Sequence, residues 1–575
     1  MSEYVWITKP NEIDTTYFEI AKELLLHPKL AFLLANRKIN SQIEAHNFFN
    51  PKISDLHNPM LMKDMEKAVQ RVIKAIELQQ KILVYGDYDV DGTTAVAIFY
   101  SFLKKLDCNV EFYVPDRLLE GYGVSMKGME YANAENFNLI VTLDCGIKAL
   151  QTIAYANAHA IDVIVCDHHE PGNELPQAFA ILNPKQKDCT YPFKELSGCG
   201  VGFKLLQGIC NTLKINEKEN LYCYLDILAV SIASDIVPII DENRIYMHFG
   251  LLKMQKKPSI GIHAMMITSG MEGNITVSDV VFKIGPRINA AGRIKSARTA
   301  IELLITTEHE QAVEVCKEID SNNILRREID KTITNEALQL IESDCESKNK
   351  VTNVLYKPLW NKGVIGIVAS RIIEKHYKPS IIFCGSDDII TGSARSVADF
   401  DLYSALEKCE EFFIHFGGHT FAAGMSIPKE KFNDFATKFN EVVANQITEE
   451  QKIPKIEIDA ELGTIDITEH FYNNLQKFAP FGPHNMTPIF IIKNLKDSGN
   501  SKSIGKDGTH LKLSLYNEKY PHTTIQGIGF GMADKWELLK AKNATIDVCF
   551  ALRENIFRNN KTIQLEIRDV RESLN

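Results

Sequence analysis

Lys81-Ile82-Leu83-Val84-Tyr85-Gly86-Asp87-Tyr88-Asp89-Val90-Asp91-Gly92 runs from a short apolar stretch straight into three aspartates at alternate positions. The apolar part reads as a buried strand, and Met65, Ala68, Val69, Val72, Ile73 and Ile76 before it stand at helical spacing. The layout returns twice: strands predicted over 138–143 and 161–166 lead into Thr142-Leu143-Asp144-Cys145-Gly146 and Asp167-His168-His169. Another strand is expected from Val110 to Val114, and Thr93-Thr94 is expected to begin the apolar helix before it. This alternation predicts an α/β fold with a doubly wound, mostly parallel sheet. Side chains at the carboxyl ends of such strands converge in the crevice where these sheets hold ligands.

Asp87, Asp89 and Asp91 would repel one another unless a cation neutralised them. A solvated acidic turn is the ordinary alternative. It loses weight once Asp144 and the Asp-His-His triplet stand at the ends of neighbouring strands. Oxygen-rich clusters with an occasional imidazole suit hard divalent ions such as Mg²⁺ or Mn²⁺. Asp144 is placed to bridge two metals about 3.5 to 4 Å apart, an arrangement that makes a shared water acidic enough to attack phosphorus. His168 would supply a neutral nitrogen ligand, while His169 would hydrogen-bond the phosphate or orient the ligand shell. An apolar helix over 221–234 ends at Asp235-Ile236-Val237-Pro238, where the proline bars further helix, so Asp235 is a candidate for the same crevice.

A chain of 575 residues exceeds one hydrophobic core and predicts three or four domains of about 100 to 200 residues. With 45% hydrophobic and 24% charged residues, it has the composition of an ordinary folded protein. The sequence has no apolar run of the roughly 18 residues a membrane span needs, and its start lacks a basic region followed by an apolar core. A cytoplasmic protein with no membrane association is expected. Twelve cysteines without a C-x-x-C pair argue against zinc or a disulfide framework and predict reduced thiols. A net charge of −10 is awkward for gripping a polyanion. Lys283, Arg287, Arg293, Lys295 and Arg298, however, occur within one acid-free stretch.

That stretch contains Gly285-Pro286-Arg287-Ile288-Asn289-Ala290-Ala291-Gly292-Arg293, whose small residues permit close backbone approach and whose arginines can clamp phosphate oxygens. The bland reading is a surface loop with incidental charge. From 308 to 345 a Gly-free and Pro-free stretch carries Val313, Cys316, Ile319, Ile329, Ile333, Ala337 and Ile341 at helical intervals, a connecting helix ended by the polar run 342–350. A second domain follows over 351–450, with strands near 351–356 and 380–384. Its Gly392-Ser393-Ala394-Arg395-Ser396 and Phe416-Gly417-Gly418-His419-Thr420 offer backbone donors, a guanidinium and an imidazole. The β-rich remainder, with runs at Leu511–Leu515 and Thr562–Ile567, predicts a small barrel. Phe530, and Phe557 with Arg558 beside it, would stack bases there, although core packing is the ordinary fate of any one aromatic.

These strings, in this order, resemble the DHH phosphoesterase superfamily, named for the triplet present here as Asp167-His168-His169. Arg117-Leu118-Leu119-Glu120-Gly121-Tyr122-Gly123, Gly285 to Arg293, Gly363 to Arg371, Phe416 to His419 and Ala479-Pro480-Phe481-Gly482-Pro483 are similar to the RecJ branch, over nearly the whole chain. The barrel favours this branch over two-domain relatives. The resemblance implies a DHH catalytic domain (61–310) with an N-terminal segment (1–60) packed on it, and a connecting helix (311–350). A DHH-associated α/β domain (351–450) and an OB-like nucleic-acid-binding barrel (451–575) would complete the chain.

It also implies processive 5′-to-3′ exonuclease action on single-stranded DNA, with two Mn²⁺ or Mg²⁺ ions and release of 5′-mononucleotides. The setting would be recombination and repair, beside single-strand-binding protein and a RecQ-type helicase; a groove formed within one chain needs no second copy, so a monomer is expected. Asp87, Asp89, Asp91, Asp144, His168 and Asp235 match metal-binding positions and His169 a phosphate-contacting one. Arg287, Arg371, Arg395, Ser396 and His419, with Asn289 and Arg293 in the same strings, match positions that handle DNA and its terminal phosphate. His484 departs from the glycine frequent in the family, which touches only a local turn. The rivals are a phosphodiesterase for short oligoribonucleotides or cyclic dinucleotides, a pyrophosphatase, and a catalytically silent DNA-binding scaffold.

Overall fold

The computed structural model describes the chain except residues 1–3, 10–12, 118, 295, 345, 541–544, 558–559 and 574–575. Leu118, Lys295, Cys345, Arg558 and the side chain of Phe557 thus lie outside the described residues. Contacts divide the chain into two units. A parallel-sheet unit comprises 51–332 with 480–485, and a barrel-bearing unit comprises 1–50, 333–479 and 486–575. Strand β1 (Val5–Thr8) belongs to the second of these.

In the parallel-sheet unit, β2 (Ile82–Gly86), β3 (Val110–Tyr113), β4 (Leu139–Leu143), β5 (Asp162–Cys166) and β6 (Ala180–Leu182) form one parallel sheet in the order β3-β2-β4-β5-β6. Successive side chains of a strand face opposite ways. Ile82, Val84, Val141 and Ile164 therefore enter one core, shared with helices Met65–Glu77, Val90–Lys105, Gly198–Leu213 and Leu225–Ser234. Leu83, Tyr85, Ile140 and Val163 enter another, shared with Met126–Ala134 and Leu150–Ala158. Cover on both faces is why these strands read as unbroken apolar runs. The strand order reverses between β2 and β4, so the ligand crevice lies beyond the carboxyl ends of these two strands.

One local expectation for this unit is corrected. The helix after β2 begins at Val90 rather than at Thr93-Thr94. Asp89 caps it by accepting from Gly92 N at 3.0 Å, while the threonine hydroxyls donate back to the carbonyls of Asp89 and Val90, each at 2.7 Å. The string 285–293 lies in helix Gly285–Ile294, which rules out the surface-loop alternative. The connecting helix spans His309–Ser343, and the contact grouping changes within it, at Ile333.

In the barrel-bearing unit, β7 (Asn353–Tyr356), β8 (Ser380–Cys384), β9 (Ile389–Arg395), β10 (His415–His419) and β11 (Ala422–Pro428) form a mixed sheet in the order β10-β11-β9-β8-β7. Beyond β12 (Lys455–Ile458) and β13 (Ala460–Glu461) come β14 (Phe490–Asp497), β15 (Lys502–Ile504), β16 (His510–Asn517), β17 (Tyr520–Gly529), β18 (Ile546–Phe557) and β19 (Asn560–Glu572). Pairings β14-β18-β19-β17-β16 and a further β14–β16 pairing close the expected barrel.

Residues 1–50 group with the barrel-bearing unit. β1 pairs in parallel with β12, and the Trp6 indole donates to Asp569 at 2.9 Å beneath the Arg571 guanidinium. A strand partner some 450 residues away leaves no local signature. Residues 480–485 group with the parallel sheet. Among the described residues no helix is long and apolar enough to cross a membrane, and the cysteines are free thiols.

Candidate metal centre

The carboxyl ends of β2, β4 and β5 deliver Asp87, Asp89 and Asp91, Asp144, and Asp167, His168 and His169 to one place, and the end of helix Leu225–Ser234 adds Asp235. Three groups in this cluster hold their ligand atoms within 4.8 Å of one another: Asp87 with Asp89 and Asp144, Asp91 with His168 and Asp235, and Asp144 with both histidines. His168 Nε2 lies 3.3 Å from Asp144 Oδ1, 3.5 Å from Asp235 Oδ2 and 3.9 Å from Asp91 Oδ2.

Close backbone approaches make this convergence possible. Asp144 sits at φ 61°, a left-handed conformation in which strain is typical of functional sites. A Cβ on Gly198 would come within 2.5 Å of the Asp144 side chain, so the helix Gly198–Leu213 reaches Asp144 only because that residue is glycine. The amino end of this helix receives Asp91, whose carboxylate accepts from Gly198 N at 2.6 Å, Cys199 N at 3.0 Å and Ser231 Oγ at 2.5 Å.

Asp167 is the organiser of the triplet rather than a member of the ligand groups. It accepts from Ile147 N at 2.9 Å, His168 N at 2.8 Å, His169 N at 3.1 Å and His169 Nδ1 at 2.7 Å. Burial works to raise its pKa, yet these donors hold it down to about 2. Burial likewise pushes His169 down, but the Asp167 contact and the charges of Asp89 and Asp91 outweigh it and leave His169 raised. His169 Nε2 stands 2.9 Å from the hydroxyl of Tyr122.

The remaining electrostatics point to a cation. Burial, then neighbouring carboxylates, drive Asp87, Asp144 and Asp235 well above the usual carboxylate range, and burial lowers His168 towards the neutral imidazole that ligates metals. Asp87 Oδ2, Asp144 Oδ1, His168 Nε2 and Asp235 Oδ2 are buried with no hydrogen-bond partner among the described residues. Orphaned buried acceptors facing one another are costly, and divalent ions held by these groups would satisfy them. Carboxylates with one imidazole are the donor set that Mn²⁺ and Mg²⁺ take.

Three family models match the chain: the DHH family N-terminal domain over 81–232, the DHHA1 domain over 350–445 and the RecJ OB domain over 458–569. The chain is 32% identical over 558 residues to the single-stranded-DNA-specific exonuclease RecJ of Haemophilus influenzae, covering 94% of this chain and 95% of that one. It belongs to the RecJ family. RecJ of Bacillus subtilis is 36% identical over 556 residues, covering 96% of this chain and 69% of its own. In fold, the chain matches RecJ from Thermus thermophilus in complex with Mn²⁺ at a TM-score of 0.85, with 24% identity, over 100% of this chain and 80% of that one. An exonuclease RecJ bound to manganese matches at a TM-score of 0.59 and 30% identity, over 67% of this chain and 96% of that one.

The basic positions taken from the RecJ pattern are differently disposed. Arg287 is buried, paired with Asp320 at 2.8 Å and donating to the Lys283 carbonyl at 2.6 Å. Asn289 and Arg293 share its helix, and a Cβ on Gly292 would sit 3.0 Å from the Tyr88 carbonyl, so this helix abuts the aspartate loop. Lys283 and Arg298 also pair with acids, Asp279 and Glu302, which blunts the positive stretch.

In the barrel-bearing unit, Arg395 on β9 and His419 on β10 both stand opposite Ala422 of β11. Arg395 donates to the Ala394 carbonyl at 2.7 Å, and Ser396 Oγ to the Phe400 carbonyl at 2.7 Å. Arg371 lies on helix Ile365–Lys375. Reasoning from sequence missed Gly198, Ser231 and the Tyr122 contact. The signal for the first was Ser197-Gly198-Cys199-Gly200-Val201-Gly202, a serine cap followed by alternate glycines.

Proposed function

We propose that this chain hydrolyses single-stranded DNA as a metal-dependent exonuclease, working from the 5′ end and releasing 5′-mononucleotides. The observation that carries the reading is the cluster of orphaned carboxylates and imidazole at the sheet's switch point, in a chain of the RecJ family. Bound there, divalent ions supply Lewis acidity that offsets phosphate charge and acidifies water at neutral pH.

The chain's own residues do the rest. Asp87, Asp89 and Asp144 would hold one ion, and Asp91, His168 and Asp235 the other, with Asp144 close enough to His168 to serve both. Asp167 fixes the His169 ring through Nδ1–H and leaves Nε2 available to a phosphate oxygen once Tyr122 yields it. Arg287, Asn289, Arg293, Arg371, Arg395, Ser396 and His419 would hold the strand and its terminal phosphate. The barrel would bind single strands without reading bases. The domain limits given above, a cytoplasmic setting, a monomeric state, and work beside single-strand-binding protein and a RecQ-type helicase in recombination and repair complete the reading.

The test is a time course on single-stranded DNA labelled internally and at either end, with Mn²⁺, Mg²⁺ or chelator, beside a duplex and a dinucleotide. Metal-dependent release of mononucleotides from the 5′ end of the single strand is expected. Cleavage of the dinucleotide but not the strand would move the chain to the small-substrate branch, and silence throughout would leave a DNA-binding scaffold.

A further inference from the structure

Residues 480–485 pack with the parallel-sheet unit although the rest of that unit ends at Thr332. The loop is tightly tied down. Gly482 and Asn485 exchange backbone hydrogen bonds at 3.0 and 2.8 Å, and Asn485, itself buried, donates through Nδ2 to the Pro480 carbonyl at 2.7 Å. The same carbonyl accepts from the buried Arg244 guanidinium at 3.4 Å. The Pro483 carbonyl accepts from Ile239 N at 2.8 Å, and a Cβ on Gly482 would lie 2.5 Å from Ile239 Cγ1. Glycine is therefore what lets the loop lie flat on Ile239.

Ile239 is four residues beyond Asp235. The stretch between them is under strain: Ile236 is β-branched yet sits at φ 60°, and its side chain is 68% exposed. A β-branched residue in this conformation is an outlier that persists only where its surroundings impose it. On the near side Asp235 N is held by the Ser231 carbonyl at 2.9 Å, and on the far side Ile239 is held by the loop. Asp91 is aimed by three donors to its side chain, whereas Asp235 Oδ2 has no hydrogen-bond partner among the described residues. The aim of Asp235 at His168 thus depends on where the backbone is pinned.

We infer that the loop Pro480–Asn485 positions Asp235 and thereby sets the affinity of the Asp91, His168 and Asp235 group for its divalent ion. This inference rests on the metal reading above. Gly482 and Asn485 are positioning residues in this account, not metal ligands.

The experiment titrates Mn²⁺ into metal-free full-length protein by calorimetry, with circular dichroism to follow the fold. Residues that orient a ligand typically cost ~10–100-fold in metal affinity when changed, so Gly482→Ala and Asn485→Ala should each weaken Mn²⁺ by about tenfold or more. Turnover should return at excess Mn²⁺ with the KM for DNA unchanged, which a general loss of structure would not allow. Wild-type Mn²⁺ affinity in both variants would overturn the inference, and Asn485→Ala decides alone if Gly482→Ala does not fold. Asp235→Asn is the control. If it too binds Mn²⁺ like wild type, the metal reading itself fails, which distinguishes the two failures.

Discussion

The acidic cluster at the switch point and the basic positions on helix Gly285–Ile294 and sheet β10-β11-β9 differ in how their polar atoms are satisfied. In the cluster, four buried acceptor atoms face one another without a hydrogen-bond donor among the described residues. At the basic positions, Arg287 has Asp320, Arg395 has the Ala394 carbonyl and Ser396 has the Phe400 carbonyl. The first is a site whose charge is unbalanced until cations arrive. The second must exchange existing partners for phosphate. Removing a member of the cluster should therefore destroy chemistry, whereas removing a basic residue should weaken the grip on substrate.

The widest gap between the two regions is expected for Asp144→Ala. Single-strand cleavage should fall by far more than the ~10–100-fold typical of residues that only orient a ligand, with the circular dichroism spectrum retained. Wild-type turnover would erase the distinction. Next in size is Gly198→Ala, whose Cβ meets the Asp144 side chain at 2.5 Å. Overpacking of this kind costs about 1–3 kcal/mol, readable as a lower urea midpoint together with a higher Mn²⁺ requirement.

Arg395→Ala should raise the KM for DNA by roughly 10- to 150-fold, as expected for a charge-assisted hydrogen bond of about 1.5–3 kcal/mol, and leave kcat at saturating DNA nearly intact. A fall in kcat alone would move Arg395 to the chemical side of the comparison. The smallest effect concerns stability. Burial and like charge keep Asp87, Asp144 and Asp235 protonated to higher pH than in the unfolded chain, so the metal-free fold is penalised at neutral pH and relieved as pH falls towards their folded range. Asp144→Asn copies the protonated form and should raise the Tm of the metal-free protein by a few degrees. In Mn²⁺ the advantage should vanish, because the ion stabilises the wild type.

The cluster was legible because each of its parts is local. An apolar run followed at once by Asp87, by Asp144 or by Asp167-His168-His169 marks a strand end, and parallel topology then brings strand ends together. Asp235 was legible from the proline that stops its helix. What escaped sequence reasoning is non-local. Nothing near Val5–Thr8 announces a partner at Lys455–Ile458, and nothing in 480–485 announces that this loop leaves its neighbours to pack on Ile239. The conformation of the string around Arg287 was open in the sequence: proline is tolerated in a first helical turn, and there it opens Gly285–Ile294. The role of Asp167 also needed coordinates. A carboxylate beside two histidines reads equally well as a ligand or as the acceptor that orients them.

The central claim is that the switch-point cluster is a two-metal site. Equilibrium dialysis of metal-free protein against Mn²⁺, beside Asp144→Asn, tests it most directly. The account requires about two tightly held ions per wild-type chain and a clear loss of bound metal in the variant. No bound Mn²⁺ in the wild type, or undiminished binding in Asp144→Asn, would contradict it.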